Sequence, residues 1–268
     1  MDLMNFQNIK YIDIHSHTPL SDYNGDVISI VDIGFSLSAL CEKSLRLCGK
    51  NTSNTASSIS TPYCSFGIHP WFLNDKNADN QLNQLENLLQ NNAIIAIGEV
   101  GFDALRGADM TLQERIFDQI ITLSEKYQKP LIIHCVKAWD KLLSLHKSRK
   151  IRQTWIIHGF YAHHELALQL TKRNIMLSFG CKLMTDSKLQ SVFSKLPINS
   201  LFLESDDTKV NIIDLYRTAA AIRNIDVEML KNEMFENFRR RVQTINLLHI
   251  LCRDFHIHNN KVGESSLF

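Results

Sequence analysis

The sequence predicts an α/β protein of the (β/α)8, or TIM-barrel, class, and three observations lead there. First, six short apolar runs end on their C-terminal side in a potential metal ligand. They are Tyr11-Ile-Asp-Ile-His15-Ser-His17, Ser65-Phe-Gly-Ile-His69, Ile94-Ile-Ala-Ile-Gly-Glu99, Leu131-Ile-Ile-His134, Trp155-Ile-Ile-His158 and Leu201-Phe-Leu-Glu-Ser-Asp206. Such runs suit strands buried on both faces of a parallel sheet, and chemistry gathered at strand C-termini is the arrangement of this barrel. Second, the candidate strands number eight, at residues 10–14, 27–33, 63–68, 94–99, 131–135, 154–158, 175–179 and 201–205. A closed barrel needs that number. Third, helical patterns lie between most of them.

In chain order, strands at 10–14 and 27–33 come first, and residues 35–62 fit the scheme least well. Phe35 to Cys48 reads as a helix or a hairpin, and the polar, turn-rich stretch 49–62 as a surface connector facing away from the strand C-termini. After the strand at 63–68, a helix over 79–91 places Leu82, Leu85, Leu88 and Leu89 on one face. The strand at 94–99 leads to a helix over 111–127, which opens with Thr111 and Glu114 in capping-box spacing ahead of Ile116, Ile120 and Leu123. Further helices are expected near 138–147, 163–173, 185–195, 211–223 and 226–251, the last broken around Asn237. The segment 255–268 carries a second H-x-H, His256 and His258, in polar sequence with no strand to place it, and reads as a frayed tail. The expected organisation is one domain over 1–254 followed by that tail, without internal repeats.

Composition is compatible with this and excludes some classes. A chain of 268 residues with 44% hydrophobic content can bury one substantial core. Lys and Arg number 29 against 28 acidic residues, so no global field would hold a polyanion and any nucleic-acid contact needs a local basic patch. The six cysteines (Cys41, Cys48, Cys64, Cys135, Cys181 and Cys252) show no C-x-x-C pair and no disulfide-like spacing. They read as reduced residues of a cytoplasmic protein. The N-terminus lacks the basic and apolar regions of a signal peptide, and no stretch has the roughly 18 apolar residues of a membrane span.

The chemistry lies in the ligand set. H-x-H at a strand end puts His15 and His17 on one side of the pleat, because alternate residues point the same way. Two such imidazoles with a carboxylate from another strand and one from the last strand make one nitrogen/oxygen site, and two further imidazoles can build a second around a shared carboxylate. The available set is His15, His17, Glu99, His134, His158 and Asp206. One buried histidine is ordinarily a hydrogen-bonded core residue. Ligands at five strand ends together point to a metal, since buried ionisable groups need a partner.

The order H-x-H, Gly67-Ile-His69-Pro-Trp71, Ile97-Gly-Glu99-Val-Gly-Phe-Asp103, Gln113-x-x-x-Phe117, Pro130-Leu-Ile-Ile-His134, Ile157-His158-Gly-Phe160, Leu203-Glu-Ser-Asp206 and Glu236-Asn-Phe238 resembles the TatD-like deoxyribonuclease family of metal-dependent hydrolases. The resemblance covers about residues 10–242. It implies a TIM barrel with two divalent ions (Zn, Mn or Mg) that hydrolyses phosphodiesters, as an exonuclease on single-stranded DNA. His15, His17 and Asp206 would hold one ion and His134 and His158 the other, with Glu99 as the bridge. Asp206 would also accept the proton of the attacking water. His69 would contact phosphate or support a ligand, and Trp71 and Phe72 would stack a base or form a hydrophobic rim. Lys137, Arg106 and Lys182 would form a small phosphate-binding patch. Glu204 would orient a ligand imidazole or sit in a core salt bridge.

The chain departs from the family pattern in places that bear on substrate. His134-Cys-Val-Lys137 stands where the family has His-Ser-Arg, so a point charge replaces a bidentate fork. Glu204-Ser-Asp-Asp-Thr208 replaces Glu-Thr-Asp-Ala-Pro, adding the charge of Asp207. Two other readings stand beside the nuclease. One is a PHP-type phosphoesterase or an amidohydrolase on a small molecule; amidohydrolases bridged by a carbamylated lysine would need Lys where Glu99 stands. The other is a non-catalytic relative that binds nucleic acid or a protein, which loss of ligands would mark.

Overall fold

The computed structural model describes residues 9–18, 26–34 and 63–242. Eight strands, β1 (Tyr11–Ser16), β2 (Val27–Asp32), β3 (Tyr63–Ser65), β4 (Ile94–Asp103), β5 (Leu131–Val136), β6 (Trp155–Ile157), β7 (Met176–Phe179) and β8 (Leu201–Leu203), pair in sequence order. Every pairing is parallel. The barrel closes where β8 returns to β1: Ser16 bridges Asp206, the Asp206 amide donates to the His15 carbonyl at 3.0 Å, and the His17 amide donates to the Asp206 carbonyl at 3.1 Å. All eight expected strands are present. The largest difference is β4, which continues past Glu99 to Asp103.

Helices follow the strands: α1 (Ala78–Leu88), α2 (Met110–Tyr127), α3 (Trp139–Ser148), α4 (His164–Thr171), α5 (Ser187–Lys195), α6 (Ile212–Arg223) and α7 (Val227–Arg241). Helix α2 starts at a different cap from the expected one. Asp109, whose side chain accepts from the amides of Thr111 and Leu112, caps it, so the Thr111–Glu114 box is not used. Helix α7 runs through Asn237 without a break. That side chain is buried, and its Nδ2 donates to the carbonyls of Ile198 and Leu201 at 2.9 and 3.0 Å, which docks the helix under β8. The expected helical residues beyond 242, the connector 35–62 and the His256/His258 pair lie outside the described residues.

Two apolar clusters hold the barrel. The larger lies between the strands and the helices, where Ile133, Trp155, Leu177 and Leu203 pack with Ile116, Phe117, Leu170 and Phe193. The smaller includes Ile132, Ile156, Met176 and Phe202, one from each of four consecutive strands. Each stands two residues before His134, His158, Ser178 or Glu204, so by strand alternation it forms the floor beneath them. Tyr216 in α6 bolts the first strand: its hydroxyl donates to the Ile12 carbonyl at 2.9 Å and accepts from the Ile12 amide at 3.1 Å.

The expectation of reduced cysteines holds for Cys135 and Cys181, which are free thiols, and fails for Cys64, which is disulfide-bonded. Its partner lies outside the described residues. A disulfide needs two Cβ atoms within about 4 Å, and spacing along the chain does not report that distance. No helix among the described residues is long and apolar enough to cross a membrane.

Candidate metal centre

Glu99 is the middle of the site, and its two oxygens face different groups. Oε2 lies 3.1 Å from His17 Nε2 and 3.5 Å from His15 Nε2. Oε1 lies 2.7 Å from His158 Nε2, 3.6 Å from His69 Nε2 and 3.8 Å from His134 Nδ1. Asp206 Oδ1 completes the first side, 3.5 Å from Nε2 of both His15 and His17. All six residues expected as ligands therefore converge. The local backbone makes this possible: a Cβ on Gly67 would fall 2.5 Å from the Glu99 carbonyl, and Gly101, at φ +131°, lies where a side chain would strike the His134 carbonyl. Glycine lets β3, β4 and β5 approach closely at the site. Asp206 itself takes a left-handed φ of 55°, held by its two backbone hydrogen bonds to β1.

The donor set fits divalent cations. His15 is fully buried; among the described residues its Nδ1 has no hydrogen-bond partner and its Nε2 has only the Glu99 and Asp206 carboxylates at 3.5 Å, too long for a good hydrogen bond, an arrangement a metal would satisfy. His15, His17 and Glu99 form one group able to hold an ion, and His15, His158 and Asp206 a second. The electrostatics agree. Burial disfavours the charge on Glu99, but the surrounding His158 and His15 hold its carboxyl well below the usual range. Burial pushes the His17 imidazole down, and the Asp206 and Glu99 carboxylates more than reverse it, to about 9. These are acidic sites that take up positive charge.

His69, Glu99 and His134 make a third close group. Proton placement divides it. The Trp71 amide donates to His69 Nδ1 at 3.1 Å, so a neutral His69 carries its proton on Nε2, facing Glu99. Burial holds that imidazole down, to about 3, and keeps it neutral. His69 thus presents an N–H to the site rather than a lone pair.

The chain belongs to the TatD-related DNase family. Its family model matches residues 12–243. Escherichia coli YjjV, named an uncharacterized metal-dependent hydrolase, is 31% identical over 150 residues, which cover 54% of this chain and 57% of that protein. A metal-dependent hydrolase of Methanocaldococcus jannaschii is 25% identical over 265 residues, covering 88% of this chain and all of that one. In structure, the fold is similar to crystal structures of YjjV (TM-score 0.72, 22% identity, 88% and 99% of the two chains) and of an Entamoeba histolytica TatD-family hydrolase (TM-score 0.71, 19% identity, 87% and 98%).

Around the centre, the TatD-family pattern is elaborated by residues the sequence reading gave other roles or none. Trp71 is partly exposed, as a stacking platform requires, but the Arg106 guanidinium lies over its ring at 3.8 Å and its Nε1 donates to Asp103 at 2.6 Å. Arg106 and Lys137 line one cleft of about 500 Å³ with Asp103 and Asp140. Lys182 does not join them; its ammonium stacks on Tyr161 at 4.3 Å. Glu204, fully buried, accepts from the Gly159 amide at 2.5 Å and lies 3.9 Å from His158 Nδ1, behind the ring. It faces the His158 imidazole from behind.

Asp32 and Asp103 also stand at the site, although neither carries an expected role. Asp32, buried at the end of β2, accepts from Ser65 Oγ at 3.2 Å and stands 3.8 Å from His17 Nδ1. The run Val27-Ile-Ser-Ile-Val-Asp32 carries the same signature as the six apolar runs that end in a candidate ligand. Asp103 sits four residues beyond Glu99, past the point where β4 was expected to end.

Proposed function

We propose that the protein is a two-metal phosphodiester hydrolase acting on DNA, working from an end of a single strand. The observation that carries this reading is the division of labour at Glu99, whose Oε2 serves His15 and His17 and whose Oε1 serves His158 and His134. A carboxylate with ligands gathered on both oxygens is suited to bridge two cations. Bound there, divalent ions would polarise phosphoryl oxygens and bring the pKa of a water near neutrality. His15, His17 and Asp206 would hold one ion, and His134 and His158 the other. Asp206 accepts the water's proton, because it is the more open of the two carboxylates, with its side chain 31% exposed against 8% for Glu99. The His69 Nε2–H is placed to donate to a phosphoryl oxygen. Arg106 and Lys137 draw the flanking phosphates into the cleft beside the centre, and Trp71 offers its ring edge to a base. The family's name supports DNA as the polymer, and the near-neutral composition supports a local, not a global, hold on it.

The test is dialysis against EDTA followed by assay on 5′- and 3′-labelled single-stranded oligonucleotides. Activity should disappear and return on addition of Mn, Zn or Mg. Undiminished cleavage in EDTA would overturn the reading, and internal fragments in place of mononucleotides would overturn its exonuclease part.

A further inference from the structure

We propose that Asp103 is a positioning residue: it holds the ring proton of His134 on Nε2, leaving Nδ1 as the metal-binding atom. This rests on the metal centre of the preceding reading but not on its substrate.

The hydrogen bonds leave one arrangement. Asp103 Oδ1 accepts from the backbone amides of Leu105 and Arg106 at 2.8 and 3.0 Å, which fixes the carboxylate. Oδ2 takes the Trp71 indole N–H at 2.6 Å and faces His134 Nε2 at 3.2 Å. An ionised carboxylate only accepts, so Nε2 must donate. In a neutral ring Nδ1 is then bare, and it is the nitrogen 3.3 Å from His158 Nε2 and 3.8 Å from Glu99 Oε1. The backbone of Asp103 is clamped as well. Its amide donates to Gln113 Oε1 at 2.8 Å and its carbonyl accepts from Gln113 Nε2 at 3.0 Å, with both residues buried. A carboxylate behind a ligand imidazole fixes ring orientation and raises ligand basicity. The same Oδ2 oxygen also accepts from the indole on which Arg106 lies, and the two backbone donors on Oδ1 hold the carboxylate in place whether or not that indole is present.

Asp103→Asn separates this role from packing. With the amide oxygen kept on the two backbone N–H groups, its NH2 faces two donors, and His134 relieves the conflict by moving its proton to Nδ1. In the metal-free wild type, ¹⁵N–¹H spectra of histidine-labelled protein, assigned with His134→Gln, should show His134 protonated on Nε2. In Asp103→Asn the proton should move, and calorimetric titration with Zn²⁺ in the absence of substrate should show one of two ions bound about 10- to 100-fold more weakly. Trp71→Phe removes a donor but keeps the carboxylate, so tautomer and zinc affinity should stay as in the wild type. A wild-type His134 with its proton on Nδ1, an Asp103→Asn protein that titrates like the wild type, or an equal loss in Trp71→Phe would each overturn the proposal. If Asp103→Asn does not fold, the wild-type spectrum decides alone. Binding of two zinc ions without DNA cleavage would sink the proposed function and leave the role of Asp103 standing.

Discussion

At the scale of single residues, Glu99 and Asp206 are chemically alike and differently placed. Glu99 is walled in by histidines on both oxygens, while Asp206 Oδ1 lies 3.5 Å from His15 and His17 and stands nearer solvent. Glu99→Gln should therefore abolish or greatly weaken binding of the second ion, because the charge that draws two cations together is gone. Asp206→Asn keeps a ligand oxygen but not a proton acceptor, so it should retain metal while kcat falls about 10²- to 10⁴-fold, the usual range for loss of a general base. Metal content by mass spectrometry beside kcat on an oligonucleotide separates the two. Near-wild-type turnover by Asp206→Asn removes it as the base, and two tightly held ions in Glu99→Gln remove the bridge.

At the scale of elements, the site depends on how β8 and α7 are joined. Asn237 in α7 ties the carbonyls of Ile198 and Leu201 just ahead of β8, whose end carries Glu204 and Asp206. Asn237→Ala should destabilise the protein by about 1–3 kcal/mol, the range for stranding buried polar groups, measured by urea denaturation. A change under about 0.5 kcal/mol would mean that water replaces the amide. The helix pattern around residue 237 did not reveal this, because asparagine is a poor helix former whose tertiary partners outweigh its propensity.

At the scale of the whole molecule, the metal-free barrel holds some buried groups, His17 and Asp13 among them, that bind protons more tightly than in an unfolded chain. His17 is held at about 9 against an ordinary 6.5, so its stabilising contribution is complete below 6.5 and is lost as pH rises through 9. Asp13 acts in the same sense: burial, partly offset by its hydrogen bonds from Ser205, lifts it from 3.8 to about 7, and its contribution is complete below 3.8 and lost as pH rises through 7. The melting temperature of the stripped protein should fall between pH 6 and 9. Cations replace the His17 proton, so metal stabilises more as pH rises. Thermal melts at pH 6, 7.5 and 9 should show the gap between loaded and stripped protein widening. A gap that is constant or narrows with pH would show that the cluster does not exchange protons for metal.

The barrel and the candidate ligands were legible in the sequence for one reason: strands buried on both faces leave little but apolar residues along their length, so a histidine or carboxylate at the end stands out. His15, His17, Glu99, His134, His158 and Asp206 were legible in that way, and all six meet. Tertiary structure alone decided the rest. Which nitrogen of His69 and His134 is free depends on the Trp71 amide and the Asp103 carboxylate, partners brought close by β3, β4 and β5 lying side by side. Lys182, after β7, lies over the face of Tyr161 and not in the cleft that Arg106 and Lys137 line after β4 and β5, and Cys64 is disulfide-bonded. Periodicity reports which face a side chain occupies. Hydrogen-bond direction, proton placement and pairing depend on distances across strands, which are set only when the sheet closes.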